Sequence, residues 1–556
     1  MAASLWGEMT RRRIWGAAVV LGLMSSVSIT GAWADDDRGD DDGGPVPFSV
    51  PKAVCGPEDN AETGLQGQVP AALRVAGFKG FNCNLQLVGQ DRIDGGNWQS
   101  AEFKDHHGHI CAYHGTASPT FSAASASRPA SRLGVPVVDV TNESKPTTTA
   151  FLQTTAMLDP WESLKVNERR QLLGADNGAN GGGKLAVDIY DISDDCRQPQ
   201  LLSSTPLGPQ DGTINGHEGS WAPDGLTYYG GDLGHGLYYA VDTTNPREPR
   251  LMTSWKTGIS IVHGMSISDD GKRGYFTSLG VTALANLTNP AVAPTNGLLI
   301  YDLTKIQNRD PSVTCPTPSA PTTATCYAPP LIGKILWKDG SVAQMTIPVR
   351  IGGKPYVIHV DEGGPGGGTS AVVPAAGGPS QQQAAAAAGM PLFPLARIID
   401  ISDETNPKEV SKLALEVHNP ANVDKVKNDL LMPIPLSIFT YGSHYCSVDN
   451  KHHATTLACG YFNSGIRVFD IRNPKRPREI AYYNPAGTTT LSLGTNHTAG
   501  NNWVAGGPDW CSAQTHLDAK RGTLWSTCQD NGVLMLKFER HVWPFEDSST
   551  PPGQQN

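Results

Sequence analysis

Several things are missing from this chain of 556 residues, and each absence removes a class of function. It has no Cys-x-x-Cys, which weakens both a zinc knuckle and a thioredoxin-like centre. It has no block of lysine and arginine beyond its first residues and a formal net charge of −10, so it lacks the basic footprint that a nucleic-acid partner requires. No apolar run after residue 29 is long enough to cross a bilayer. Gly-x-Ser-x-Gly, His-Glu-x-x-His and a Walker loop are all absent, which leaves the standard serine-hydrolase, zincin and nucleotide-binding readings without support.

The first residues read as an export signal. Arg11, Arg12 and Arg13 precede an apolar run from Ile14 to Ile29, and Ala32-Trp33-Ala34 supplies the small-x-small pattern cleaved after Ala34. The run is short for a membrane span, and the acidic stretch from Asp35 follows at once. The expected mature protein is therefore exported, to the periplasm, cell surface or medium, without a membrane span. All 10 cysteines lie beyond the cut, and an even number in an exported chain predicts disulfides. Cys315 with Cys326, Cys446 with Cys459 and Cys511 with Cys528 are the nearest candidate pairs, although spacing alone does not settle connectivity.

One pattern recurs. Runs beginning at Gly134, Ala186, Gly236, Gly297, Ala396 and Gly465 are each β-branched or aromatic and close on Asp139, Asp191, Asp242, Asp302, Asp400 and Asp470. A seventh, from Gly532 to Phe538, keeps the run without the aspartate. A unit repeating every 40–50 residues or so marks a solenoid or propeller. Around the run from Gly297 the unit resolves into four strands, with Asp269-Asp270-Gly271 supplying a tight turn between the first two. The units built on Gly236 and Gly465 repeat it, and less regular versions fall near 83–157, 158–206 and 343–417. The last unit is one strand short, and Ala72–Phe78 is expected to complete it and close the ring. The predicted fold is all-β: a β-propeller of seven four-stranded blades over 70–540, or six if the first unit is not a true repeat. Residues 35–69 read as a flexible acidic and Pro/Gly-rich arm, and 541–556 as a disordered tail. Insertions at 306–329 and 362–391 interrupt the blades, the second being of low complexity and expected to be disordered.

These hydrophobic-Asp-hydrophobic-Ser/Thr runs followed by Asn-Pro or Pro resemble the LVIVD repeat. The resemblance covers most of the mature chain and implies an exported bacterial or archaeal β-propeller. It carries no general catalytic assignment.

Propeller geometry gathers the start of every inner strand, and every loop between second and third strands, around one mouth of the central channel, where ligands most often bind. Aligned on their first turns, three blades place His217, His263 and His444 at that position. The last blade offers Gln514 and His516, Glu218 stands beside His217, and an earlier blade offers Glu162. The mouth loops add Asp232, His235, Asp361, Glu362 and Asp530, with His359 ending a second strand. Imidazoles from separate blades aimed at one axis suit a divalent transition metal, Zn, Cu, Mn or Ni, with Glu218 as proton acceptor for a bound water. The plainer alternative is that a repeat copies its residues and each histidine caps its own blade. His106, His107, His109 and His114 near Cys111 suggest surface metal binding at most, and His452 and His453 a solvated hairpin turn. The tyrosines and tryptophans of the strands read as packing between blades. Two functions remain: a binding or scaffold module whose unknown protein or small-molecule partner docks on the mouth face, or a metal-dependent oxidative or hydrolytic enzyme at the same place.

Overall fold

The repeated aspartate has a local cause. In the third strands Val135–Asp139, Ala186–Asp191, Leu237–Asp242, Asn296–Asp302, Ala396–Asp400 and Ile466–Asp470 it is the last residue. Each carboxylate accepts the N–H two residues on, of Thr141, Ser193, Thr244, Thr304, Ser402 and Arg472, at 2.8–3.0 Å. This Asx turn ends the strand and starts the reversal towards the fourth. The run from Gly532 lacks the aspartate because it leads out of the array instead of into a fourth strand.

The computed structural model describes residues 47–75, 77–93, 95–96, 98–115, 134–177, 186–207, 214–313, 326–367, 380–429, 440–487 and 507–545. Residues 1–46 and 546–556 lie outside them, and with them the expected export signal and most of the expected tail. Seven antiparallel sheets form the ring of a β-propeller. Their inner strands are Ser100–Lys104, Lys165–Asn167, Glu218–Trp221, Met265–Ile267, Ser341–Ile351, Ser443–Val448 and His516–Asp518, which number the blades one to seven. Aromatic side chains fill the seams as expected. Phe276 meets Tyr238 at 4.5 Å and Tyr301 at 5.5 Å between ring centroids, locking blade three to blade four.

Closure happens as predicted in kind but through different residues. Strand β1 (Phe81–Cys83) adds a fifth strand to blade six beside Arg478–Asn484, and β2 (Leu85–Asp91) is the outer strand of blade seven, paired with Gly532–Phe538. Asn84, at φ 59°, turns the chain from one blade to the next, and its amide donates to Val54 O (2.9 Å) and Ile480 O (2.8 Å). Ala72–Phe78 is not a strand. Ala71–Leu73 is a 3-10 turn, and Arg74 is spent as a buried tether that donates to Val69 O and Tyr441 Oη, both at 2.7 Å.

Three further expectations need correcting. Residues 47–69 are no flexible arm: Cys55 is bonded to Cys83, Lys52 pairs with Glu416 (2.7 Å) and Val69 is fully buried. Within the 362–391 insertion, Gln381–Ala387 is a helix with a Ser380–Gln383 capping box, and Ala385 is buried in an apolar cluster that includes Leu392, Phe393 and Val426. An alanine-rich helix persists there because it has a surface to pack on. The described start of the tail also packs, with Trp543 buried 4.9 Å from Phe538.

Cys446–Cys459 and Cys511–Cys528 pair within blades as expected, and Cys111–Cys196 joins blade one to blade two. Cys326 is disulfide-bonded, while Cys315 lies outside the described residues.

One buried histidine predicts a pH dependence. His418 Nδ1 accepts from Leu415 N (2.7 Å), its Nε2 faces Tyr441 O (3.2 Å), and burial pushes the imidazole down to about 3. The folded protein refuses a proton that the unfolded chain takes near pH 6.5. This stability is complete above that value and is lost as pH falls towards 3, at roughly 1.4 kcal/mol per unit. Urea melts at pH 7 and pH 5 are expected to show the deficit of His418→Gln against wild type shrinking at the lower pH. A deficit unchanged between the two would contradict it.

Candidate functional site

Each inner strand begins at the channel mouth, so the residue just before or at its start points at the axis. Blade two places Glu162 there. It sits next to Trp161, whose φ of 44° is unusual for a bulky residue and turns the chain so that Glu162 bridges to Glu218 of blade three. Blades three, four and six place His217, His263 and His444 there, as the alignment predicted.

The four side chains meet. His217 Nε2 and His263 Nε2 are 2.9 Å apart, and Glu162 Oε2 lies 3.1 Å from the first and 3.0 Å from the second. His444 Nε2 approaches the other oxygen, Oε1, at 3.2 Å, and Glu362 Oε1 at 3.4 Å. All three histidines and Glu162 are buried. Ala343 O lies 3.1 Å from His263 Nδ1 and Ser512 O lies 2.9 Å from His444 Nδ1. A carbonyl only accepts, so both Nδ1 atoms donate and both Nε2 atoms face the cluster.

The site favours positive charge. Burial opposes ionisation of Glu162, but His263, His217 and His444 outweigh it and hold the carboxyl well below its usual range. Burial lowers His444 as well, yet Glu162 and Glu362 prevail and push it up to about 10. His263 is raised in the same way, Glu162 overcoming burial.

Beneath the cluster Glu218 accepts a hydrogen bond from Tyr445 Oη and lies 4.0 Å from Lys165 Nζ. Burial pushes its carboxyl up to about 7, against the pull of Lys165. Above it, Trp98 packs on His444 (5.2 Å) and Trp161 on His217 (5.9 Å). Trp98, Trp161, Lys165 and Tyr445 were missed in the sequence. Trp161 immediately precedes Glu162, which holds the aligned position in blade two, and Trp98 lies just before the inner strand of blade one.

The other predicted residues are engaged elsewhere. His516 stacks on Trp525 (4.2 Å) with Nε2 3.0 Å from Ser100 Oγ, and burial drives it to about 3, so it is no ligand of the cluster. Gln514 binds Gln99 and Ser447 Oγ (3.1 Å). Asp232 caps its own loop, taking His235 Nδ1 at 2.7 Å and Asn215 N at 2.9 Å. Asp361 is committed to Trp337 Nε1 (2.9 Å), Asn296 Nδ2 (2.8 Å) and Arg397 Nε (3.2 Å), while His359 is buried edge-on to Trp337. Asp530 N donates to Asp509 at 3.0 Å, in a separate buried acidic pair of blade seven. These residues shape loops and seams: second-to-third-strand turns need carboxylates to satisfy backbone N–H groups, and blade interiors need their partners.

No family model and no curated protein matches the chain. Among solved structures it is similar to a protein of Bacteroides uniformis assigned provisionally as a 6-phosphogluconolactonase. The identity is 12%, the TM-score 0.46, and the alignment covers 79% of this chain and 95% of that one. A likeness at this level bears on neither substrate nor chemistry.

Proposed function

We propose that this propeller holds one divalent transition metal at its channel mouth, on His217 Nε2, His263 Nε2 and the Glu162 carboxylate, with His444 as a further ligand. A propeller is in general a binding or scaffolding module, and the finer reading rests on one observation: three buried donor atoms stand 2.9–3.1 Å from one another. Metal bonds of about 2.0–2.1 Å place neighbouring donors roughly 2.9 Å apart at a right angle and 3.3 Å at the tetrahedral angle. Two imidazole Nε2 atoms at 2.9 Å repel unless a proton or a cation lies between them. A donor set of nitrogen and oxygen suits Zn, Mn, Ni or Cu, and two histidines with one carboxylate also suit Fe(II). Such an ion polarises a bound oxygen atom or lowers the pKa of a bound water. Glu218, next to His217, is the candidate proton acceptor.

The purified mature protein is expected to carry close to one equivalent of such a metal by elemental analysis, and His263→Ala to lose at least nine-tenths of it. A wild-type protein without bound metal after loading with Zn or Mn sinks the reading. Export and an LVIVD-type repeat belong to the same proposal, supported by the disulfides and by the aspartate-closed third strands. Terminal sequencing of exported protein is expected to begin at Asp35.

A further inference from the structure

The residues one step below the cluster line a second space. Glu218 follows His217, Met265 lies two residues after His263, Tyr445 follows His444, and all three line a cavity of about 390 Å³ in the central channel. That volume falls within the range of small-molecule sites. All seven blades contribute to its wall. At its far end the cavity reaches Glu168 and Lys451, both exposed, next to the turns between first and second strands on the face opposite the mouth. The cavity therefore runs from the exposed end at Glu168 and Lys451 up to Glu218, Met265 and Tyr445, one or two residues from the histidines in sequence.

The mouth side differs. Trp98 sits over His444 and packs against Trp161 (5.7 Å), Trp510 (5.9 Å) and Phe462 (6.0 Å), and Phe462 itself packs on His444 at 5.3 Å. Trp161, Phe462 and Trp510 are all buried. Among the described residues, aromatic rings roof the cluster on the side where a propeller would ordinarily take its ligand.

We propose that ligands reach the metal from the channel and not from the mouth, and that the cavity accepts a small hydrophilic, hydroxyl-bearing molecule. The inference rests on the metal reading above. The wall carries Ser220, Ser266, Thr346 and Ser447, with Lys165 and Glu218 at the metal end. The polar groups predominate and offer hydrogen bonds of both senses around a compact polar molecule, with Met265, Met345 and Ile347 set between them.

The test uses the full mature chain loaded with Co(II), with azide as the probe of the metal. Among the described residues every cysteine is disulfide-bonded. A Ser220→Cys variant, which changes one atom, therefore introduces a thiol that can be labelled selectively after folding. Labelling with benzyl methanethiosulfonate plugs the channel in place. The expected result is a rate of azide binding, read from the Co(II) visible bands, at least tenfold slower than in the unlabelled variant, with cobalt content unchanged. An unchanged rate after complete labelling overturns the proposal. So does a thiol that never reacts in folded protein that still binds azide. Failure of the metal reading shows separately, as an absence of bound cobalt before azide is added.

Discussion

Arg467→Leu is expected to cost about 3–5 kcal/mol of stability, the usual penalty for removing one partner of a buried ion pair. The guanidinium is fully buried. It meets Glu479 Oε1 at 3.0 Å and Glu62 Oε2 at 3.2 Å, donates to Ser464 O at 2.8 Å and lies over the Tyr482 ring at 4.5 Å. Glu479 in turn accepts from Gln66 Nε2 (2.9 Å) and Ala53 N (3.3 Å). Without the arginine, two carboxylates remain inside with no cation, and burial already pushes Glu62 upward. Because Glu62, Gln66 and Ala53 belong to the segment before β1, the loss should also free residues 47–69 for proteolysis. Urea denaturation with limited trypsin digestion reads both effects. Adding Glu62→Gln and Glu479→Gln to Arg467→Leu is expected to restore a large part of the loss, since the buried charge is then gone. A single-variant loss below about 1 kcal/mol would show that water reaches the pair.

Glu162→Gln is expected to weaken metal binding by more than the ten- to hundredfold typical of losing an outer-shell partner. Among the described residues its carboxylate is the group that comes within 3.2 Å of all three histidine Nε2 atoms. An amide keeps the shape, removes the negative charge and presents N–H donors to imidazoles. In the wild type a metal that binds only the folded state raises the melting temperature with concentration. That rise is expected to vanish in Glu162→Gln, while the variant remains folded by circular dichroism. A rise of equal size in the two proteins would remove Glu162 from the site and place the ion elsewhere.

What the sequence by itself determined is the repeat. Its signals are local: a β-branched run with alternating faces, an aspartate that takes the N–H two residues on, and Asp-Gly turns. Such features need no partner from elsewhere in the chain, so strands, blade count and the aligned positions of His217, His263 and His444 were legible. Closure was legible only as a need for one more strand. Which strand met it was decided by long-range contacts such as Arg74 with Tyr441 and Asn84 with Ile480. The same holds for Gln381–Ala387, whose stability as a helix comes from an apolar surface contributed by residues distant in the chain.

The site divides in the same way. Alignment brought the histidines to one rim, but only the tertiary structure decided that Glu162 would lie between them while His516 turned to Trp525 and Asp361 to Arg397. A repeat sets the height of a residue along the channel. The direction of its side chain is set by packing that the repeat pattern does not encode, within one blade where His516 meets Trp525 and Asp361 meets Arg397, and between blades for Glu162.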